Sequence, residues 1–149
     1  MSLEVRIQDE IKAAMLAREK VRLEALRAIK AAILLEKTSD GAETISDDVV
    51  LKIIMKLVKQ RKESAELYRS QNRADLAENE LAEASFMEVF LPRQLSEEEL
   101  ESELAKVIEQ VGAKGPQDMG KVMGVATRQL AGRADGKAIS MAVKKLLQN

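Results

Sequence analysis

Leu95-Ser96-Glu97-Glu98-Glu99-Leu100 is the clearest local instruction in the chain. Ser96 has the side chain of a helix N-cap, and Glu99 stands three residues on, where its carboxylate can return a bond to the Ser96 N–H. Leu95 and Leu100 occupy the two positions of a hydrophobic staple. A helix therefore starts at 97. Leu100, Leu104, Val107 and Val111 give it one apolar face, and Gly112 ends it.

The same periodicity extends in both directions. Downstream, Met119, Val122, Met123, Ala126 and Leu130 stripe a sixth helix, and Ile139, Ala142, Val143 and Leu146 a seventh. Upstream, a fourth helix runs from about Ala74 to Phe90 and stops because Pro92 disfavours helical geometry at Leu91. Its apolar end (Phe86, Met87, Val89, Phe90, Leu91) needs cover, most simply at the junction with the following unit. Ser46 caps a long third helix to about Gln71, with Asp47 and Asp48 in its positive first turn and a stripe through Val50, Ile54, Leu57, Ala65 and Tyr68. Leu3, Ile7, Ile11 and Met15 stripe the first helix, which Ser2 can cap. The polar run Arg18-Glu19-Lys20 breaks that register before Leu23, Leu26, Ile29 and Ile33. This predicts a second helix over about 20–37, or one long bent helix, ahead of the turn residues Thr38-Ser39-Asp40-Gly41. No segment alternates as a strand does. The predicted fold is all-α in two parts, 1–92 and a three-helix unit at 93–149.

Composition narrows the chemistry. The 149 residues are 33% charged and 2% aromatic, with a net charge of −1 that argues against indiscriminate polyanion binding. That sum hides a polarity: residues 1–74 carry +3, 75–110 carry −9 and 111–149 carry +5. Six of the seven glycines also fall in the last 38 residues. Without Cys or His there is no disulfide, thiol nucleophile, imidazole base or thiolate metal site. No cofactor or metal is expected. No stretch approaches the ~20 apolar residues of a membrane helix, and with Glu4, Asp9 and Glu10 the amino end is not expected to be a secretory h-region and is unlike an acidic-poor transit peptide. The expected location is cytoplasmic, away from membranes.

Four features invite a functional reading. The tandem carboxylates at 97–99, 101 and 103 surround a helix N-terminus, where the dipole alone favours acids. Lys52, Lys56, Lys59 and Lys62, with Arg61, could track phosphates; but Glu63 and Glu66 follow Lys59 and Lys62 by four, which is ordinary ion-pair spacing on a solvated face. Gly120 and Gly124 lie one turn apart in a helix, each costing roughly 0.5–1 kcal/mol relative to Ala. A neighbouring helix is the plainer reason for them. A phosphate or sugar, flanked by Lys121 and Arg128, is the sharper one. Gly132-Arg133-Ala134-Asp135-Gly136-Lys137 then offers flexible backbone, two cations and a helix N-terminus, which suits an anion although it lacks Walker spacing. With no aromatic residue after Phe90 to stack on bases, RNA bound there would be read by shape and phosphates.

Several motifs together resemble the YqeY family, stand-alone relatives of the tail domain of GatB, the tRNA-binding subunit of the glutamine-dependent aminoacyl-tRNA amidotransferase. They are Lys59-Gln60-Arg61-Lys62-Glu63-Ser64 with Tyr68, then Phe90-Leu91-Pro92 leading into Gln94–Leu100. Asp118-Met119-Gly120-Lys121-Val122-Met123-Gly124 and Gly132-Arg133-Ala134-Asp135-Gly136 complete the set. The likeness to GatB itself lies mainly in the last third. Gly120, Val122 and Met123 match one element there and Gly132, Ala134 and Asp135 another, with about one extra helical turn between them.

The resemblance implies a non-catalytic protein whose basic carboxyl-terminal unit contacts folded tRNA, or a tRNA-charging or amidotransferase complex. The family's carbon–nitrogen ligase label, with glutamine as amido-N-donor, would then describe the relatives' complex rather than this chain alone. Lys121, Arg128, Arg133 and Lys137 are the candidate RNA contacts, with Gly120, Gly124, Gly132 and Gly136 allowing close approach and Lys59, Arg61 and Lys62 secondary. The alternative is a protein-interaction adaptor using the acidic 75–110 segment and the apolar end of the fourth helix. A third reading is an accessory subunit of the amidotransferase.

Overall fold

A computed structural model describes residues 1–148, all of whose regular structure is helical. The helices are α1 (Leu3–Ala17), α2 (Lys20–Asp40), α3 (Asp47–Ser70), α4 (Ala74–Glu88), α5 (Glu97–Val111), α6 (Met119–Gln129) and α7 (Gly136–Gln148), with a 3₁₀ turn at Pro116–Asp118 leading into α6. The break between α1 and α2 is real: Arg18 adopts a left-handed φ of 57° and its N–H turns back to the carbonyls of Ala14 and Met15. Among the described residues no helix is long and apolar enough to cross a membrane.

The chain separates into two compact units, Met1–Leu91 and Pro92 onward. In the first, α3 and α4 pack most extensively, while α2 packs between α1 and α4. Ile7, Leu26, Ile29, Ile54 and Met87 are almost wholly buried at its centre. Ser46 caps α3 by accepting from the Val49 N–H, as its sequence context predicts.

The apolar end of α4 needs no outside cover. Met87 and Phe90 are buried in the first unit's own core, with Phe86 and Leu91 packed against it. The Arg6 guanidinium caps the Phe90 ring, 4.7 Å from its centroid. Only Val89 of this group stands well exposed. The expected need for cover is met within the first unit for all of the group but Val89. The partner could not be read because Arg6 of α1 and Phe90, just past α4, are distant in sequence.

The second unit is built on Leu104, Val107, Val122, Leu130 and Val143, contributed by α5, α6 and α7. Its capping box is complete: Glu99 N–H donates to Ser96 Oγ at 3.1 Å, and Ser96 N–H donates to Glu99 Oε1 at 3.0 Å.

Candidate nucleic-acid interface

Helical geometry places the features of α6 on one side. At 100° per residue, Gly120, Gly124, Arg128 and Lys121 fall within an arc of about 100°, opposite the buried Val122 and Ala126. All four are exposed. A Cβ added at Gly120 or Gly124 would meet nothing within 4 Å, so the neighbouring-helix explanation of these glycines fails. They leave a strip of bare backbone on the surface of the unit. Arg128 lies along that strip, its Nε donating to the Gly124 carbonyl at 3.1 Å. The bond fixes the guanidinium while leaving its outer nitrogens to meet a solute. Lys121 and Arg128 are roughly 10 Å apart along the axis, two helical turns.

The turn after α6 is held from the other end of the unit. Gly132, buried and at φ 77°, takes a left-handed conformation that a side chain would strain. Its carbonyl accepts from Gln94 Nε2 at 2.6 Å, and the Arg133 carbonyl accepts from the Leu95 N–H at 2.9 Å. Gly132 therefore serves the turn and is not part of the open strip. Arg133 is half-buried, whereas Gly136 and Lys137 are exposed in the first turn of α7.

Three basic groups of this unit hold carboxylates on α5. Arg93 holds Glu99 at 2.6 Å, Lys106 holds Glu103 at 3.5 Å and Lys145 holds Glu101 at 3.0 Å. The Arg93 guanidinium and the bonds of the capping box hold the Glu99 carboxyl at about 2, well below the usual carboxylate range. In contrast, Lys121, Arg128, Arg133 and Lys137 form no ion pair among the described residues. Neither does Lys144, which sequence reading passed over. Its signal was present: it follows Lys137 by seven, the same face of α7, with the 64%-exposed Met141 between them.

The secondary candidates on α3 are already engaged. Arg61 lies 3.6 Å from Glu80 and 3.8 Å from Glu83, both on α4, and Lys62 reaches Glu88 at 2.8 Å. The expected i,i+4 pairing of Lys62 with Glu66 gives way to this cross-helix bond, and Glu66 lies near Arg69 instead. Lys59 is also engaged. Glu83 is the buried member of the cluster, and loss of solvent pushes its carboxyl up from the ordinary value despite the nearby Arg61.

The family profile described as Yqey-like protein matches residues 4–147, nearly the whole chain. The chain belongs to the YqeY-like family. Among relatives, it is 29% identical over 147 residues to "Altered inheritance of mitochondria protein 41, mitochondrial" of Pyrenophora tritici-repentis, covering 95% of this chain and 79% of that one. It is also 45% identical over 58 residues to the E subunit of the glutamyl-tRNA(Gln) amidotransferase of Thermococcus gammatolerans. That second match covers 36% of this YqeY-like chain and only 9% of the relative. The expected kinship with amidotransferase proteins is thus found, over a short segment of a much longer protein.

Proposed function

We propose that this YqeY-like protein is a non-catalytic RNA-binding protein, whose α6 face and α6–α7 turn contact the sugar-phosphate backbone of folded tRNA. The observation that carries the reading is the set of exposed cations on α6 and α7 that form no ion pair among the described residues, in a unit where Arg93, Lys106 and Lys145 hold carboxylates. Unpaired surface cations lose no ion pair when they meet phosphate, and they release the nucleic acid's counterions when they do. The open glycine strip supports it, because bare helix backbone lets a second backbone approach closely. Kinship with part of a glutamyl-tRNA(Gln) amidotransferase supports tRNA as the RNA in question.

That same match favours a second reading, an accessory role in a tRNA-amidotransferase complex that uses the same face. The adaptor reading based on α4 loses its apolar anchor, since Met87 and Phe90 are buried. Action in the cytoplasm is part of the proposal; the fungal relative is named as mitochondrial.

The reading is tested by the double reversal Lys121→Glu and Arg128→Glu. Both residues are exposed, so helicity and melting temperature should hold while tRNA affinity falls by roughly tenfold or more. Unchanged affinity would remove α6 from the interface.

A further inference from the structure

The first unit carries an apolar groove that its own core does not fill. It runs between α1 and α2, with the buried Ile7 and Ile33 as its floor and Glu4, Gln8, Lys30, Leu34 and Lys37 around it, and has a volume of about 120 Å³. Leu34 lines it while remaining 62% exposed. Seven residues beyond Gln8, and so on the same edge of α1, Met15 is 51% exposed. Two antiparallel helices thus present exposed apolar side chains along a shared furrow.

The charges beside the furrow are mostly of one sign. Glu4 and Lys37 pair with each other across one end, so neither calls for an outside partner. Lys30 on the wall forms no ion pair among the described residues. The same holds for Arg27, one turn earlier on α2, and for Lys12, one turn beyond Gln8 on α1. The nearby acids are spent or turned away. Glu10 holds Arg6 and Arg22, and Glu19 holds Arg22. Asp9 stands about 100° round α1 from Gln8 and Glu24 about 120° round α2 from Lys30, each about one turn from Lys12 or Arg27.

We propose that this groove docks an acidic amphipathic helix of a partner protein. The partner's apolar residues, at i, i+3/i+4 and i+7, enter between α1 and α2, and its flanking carboxylates meet Lys12, Arg27 and Lys30. A recessed floor between two helices favours inserted side chains over a flat lipid surface. Charge complementarity selects an acidic helix over a basic one, more through encounter rate and specificity than through raw affinity. This surface lies in the first unit and stands independently of the RNA reading.

The test uses the full chain and two labelled helical peptides of about 18 residues, long enough to sustain a helix. They share one leucine stripe and differ only in having Glu or Lys on the flanks. Fluorescence anisotropy should show the Glu peptide binding roughly tenfold or more tighter than the Lys peptide. Leu34→Glu should abolish that binding, and the pair Arg27→Glu with Lys30→Glu should reverse the preference. All three positions are exposed, so circular dichroism and tRNA affinity should remain those of the unaltered chain. Absence of binding, equal binding of both peptides, or indifference to Leu34→Glu would overturn the proposal. So would a dimer of the chain that Leu34→Glu dissolves, because the occupant would then be a second copy.

Discussion

The Leu95 N–H donates to the Arg133 carbonyl at 2.9 Å, joining the residue ahead of the α5 cap to the turn ahead of α7. With the Gln94 bond to the Gly132 carbonyl at 2.6 Å, it holds the α6–α7 turn to a segment 38 residues earlier. A candidate phosphate-binding turn is thereby positioned by the segment that leads into α5, the acidic helix of the unit.

Gly132→Ala should therefore destabilise the protein. The added Cβ must take a left-handed backbone, which costs an L-residue about 1–2 kcal/mol. Urea denaturation would show a lower midpoint at unchanged slope. Unaltered stability would mean that the turn relaxes freely and is not held by Gln94 and Leu95.

Gly124→Ala should do the opposite. Its Cβ meets only open space on a helix, so stability should rise by about 0.5–1 kcal/mol, seen as a higher urea midpoint. If the bare strip serves close approach, bulkier Gly124→Leu should fold normally yet weaken tRNA binding. An outward glycine that stabilises when replaced is one the fold does not require.

These two glycines show what the sequence could and could not reveal. Ser96 and Glu99 announced α5 because a capping box is complete within four residues. Ser46 did the same for α3. Whether Gly124 faces a helix or solvent depends on where α5 and α7 lie, which no local pattern encodes. The buried end of α4 and the Lys62–Glu88 bond were hidden for the same reason: their partners come from other helices. Lys144 was legible by its spacing from Lys137 but carried no motif to draw notice.

Glu99 gives the second unit an acid dependence. Its folded value of about 2 lies below the ordinary 4.5, so the ionised form favours the fold. That contribution is complete above about 4.5 and fades as pH falls toward 2. The stability difference between the unaltered chain and Glu99→Gln should shrink over that window in thermal melts. A difference that stays constant from neutral pH to pH 2 would contradict the assignment.

Glu83 works with the reverse sign. Burial raises its folded value, so ionisation as pH climbs from the ordinary carboxylate value through the raised one costs stability. Glu83→Gln should raise the melting temperature at pH 7 relative to the unaltered chain, with the gain disappearing below pH 4.5. A lower melting temperature at pH 7 would show that the bond to Arg61 outweighs burial.

The central claim is that the cations of α6, α7 and the turn between them that form no ion pair among the described residues bind the backbone of folded tRNA. The most direct measurement is the affinity of the purified chain for labelled tRNA across a series of salt concentrations, beside an RNA duplex and an unstructured RNA. With four to five phosphates neutralised, the logarithm of affinity should fall linearly against that of salt, with a slope of about −3 to −4. Folded tRNA should be preferred, and Lys121→Glu should reduce the slope by about one. Equal, feeble binding to all three RNAs, or a slope that Lys121→Glu leaves unchanged, would contradict it.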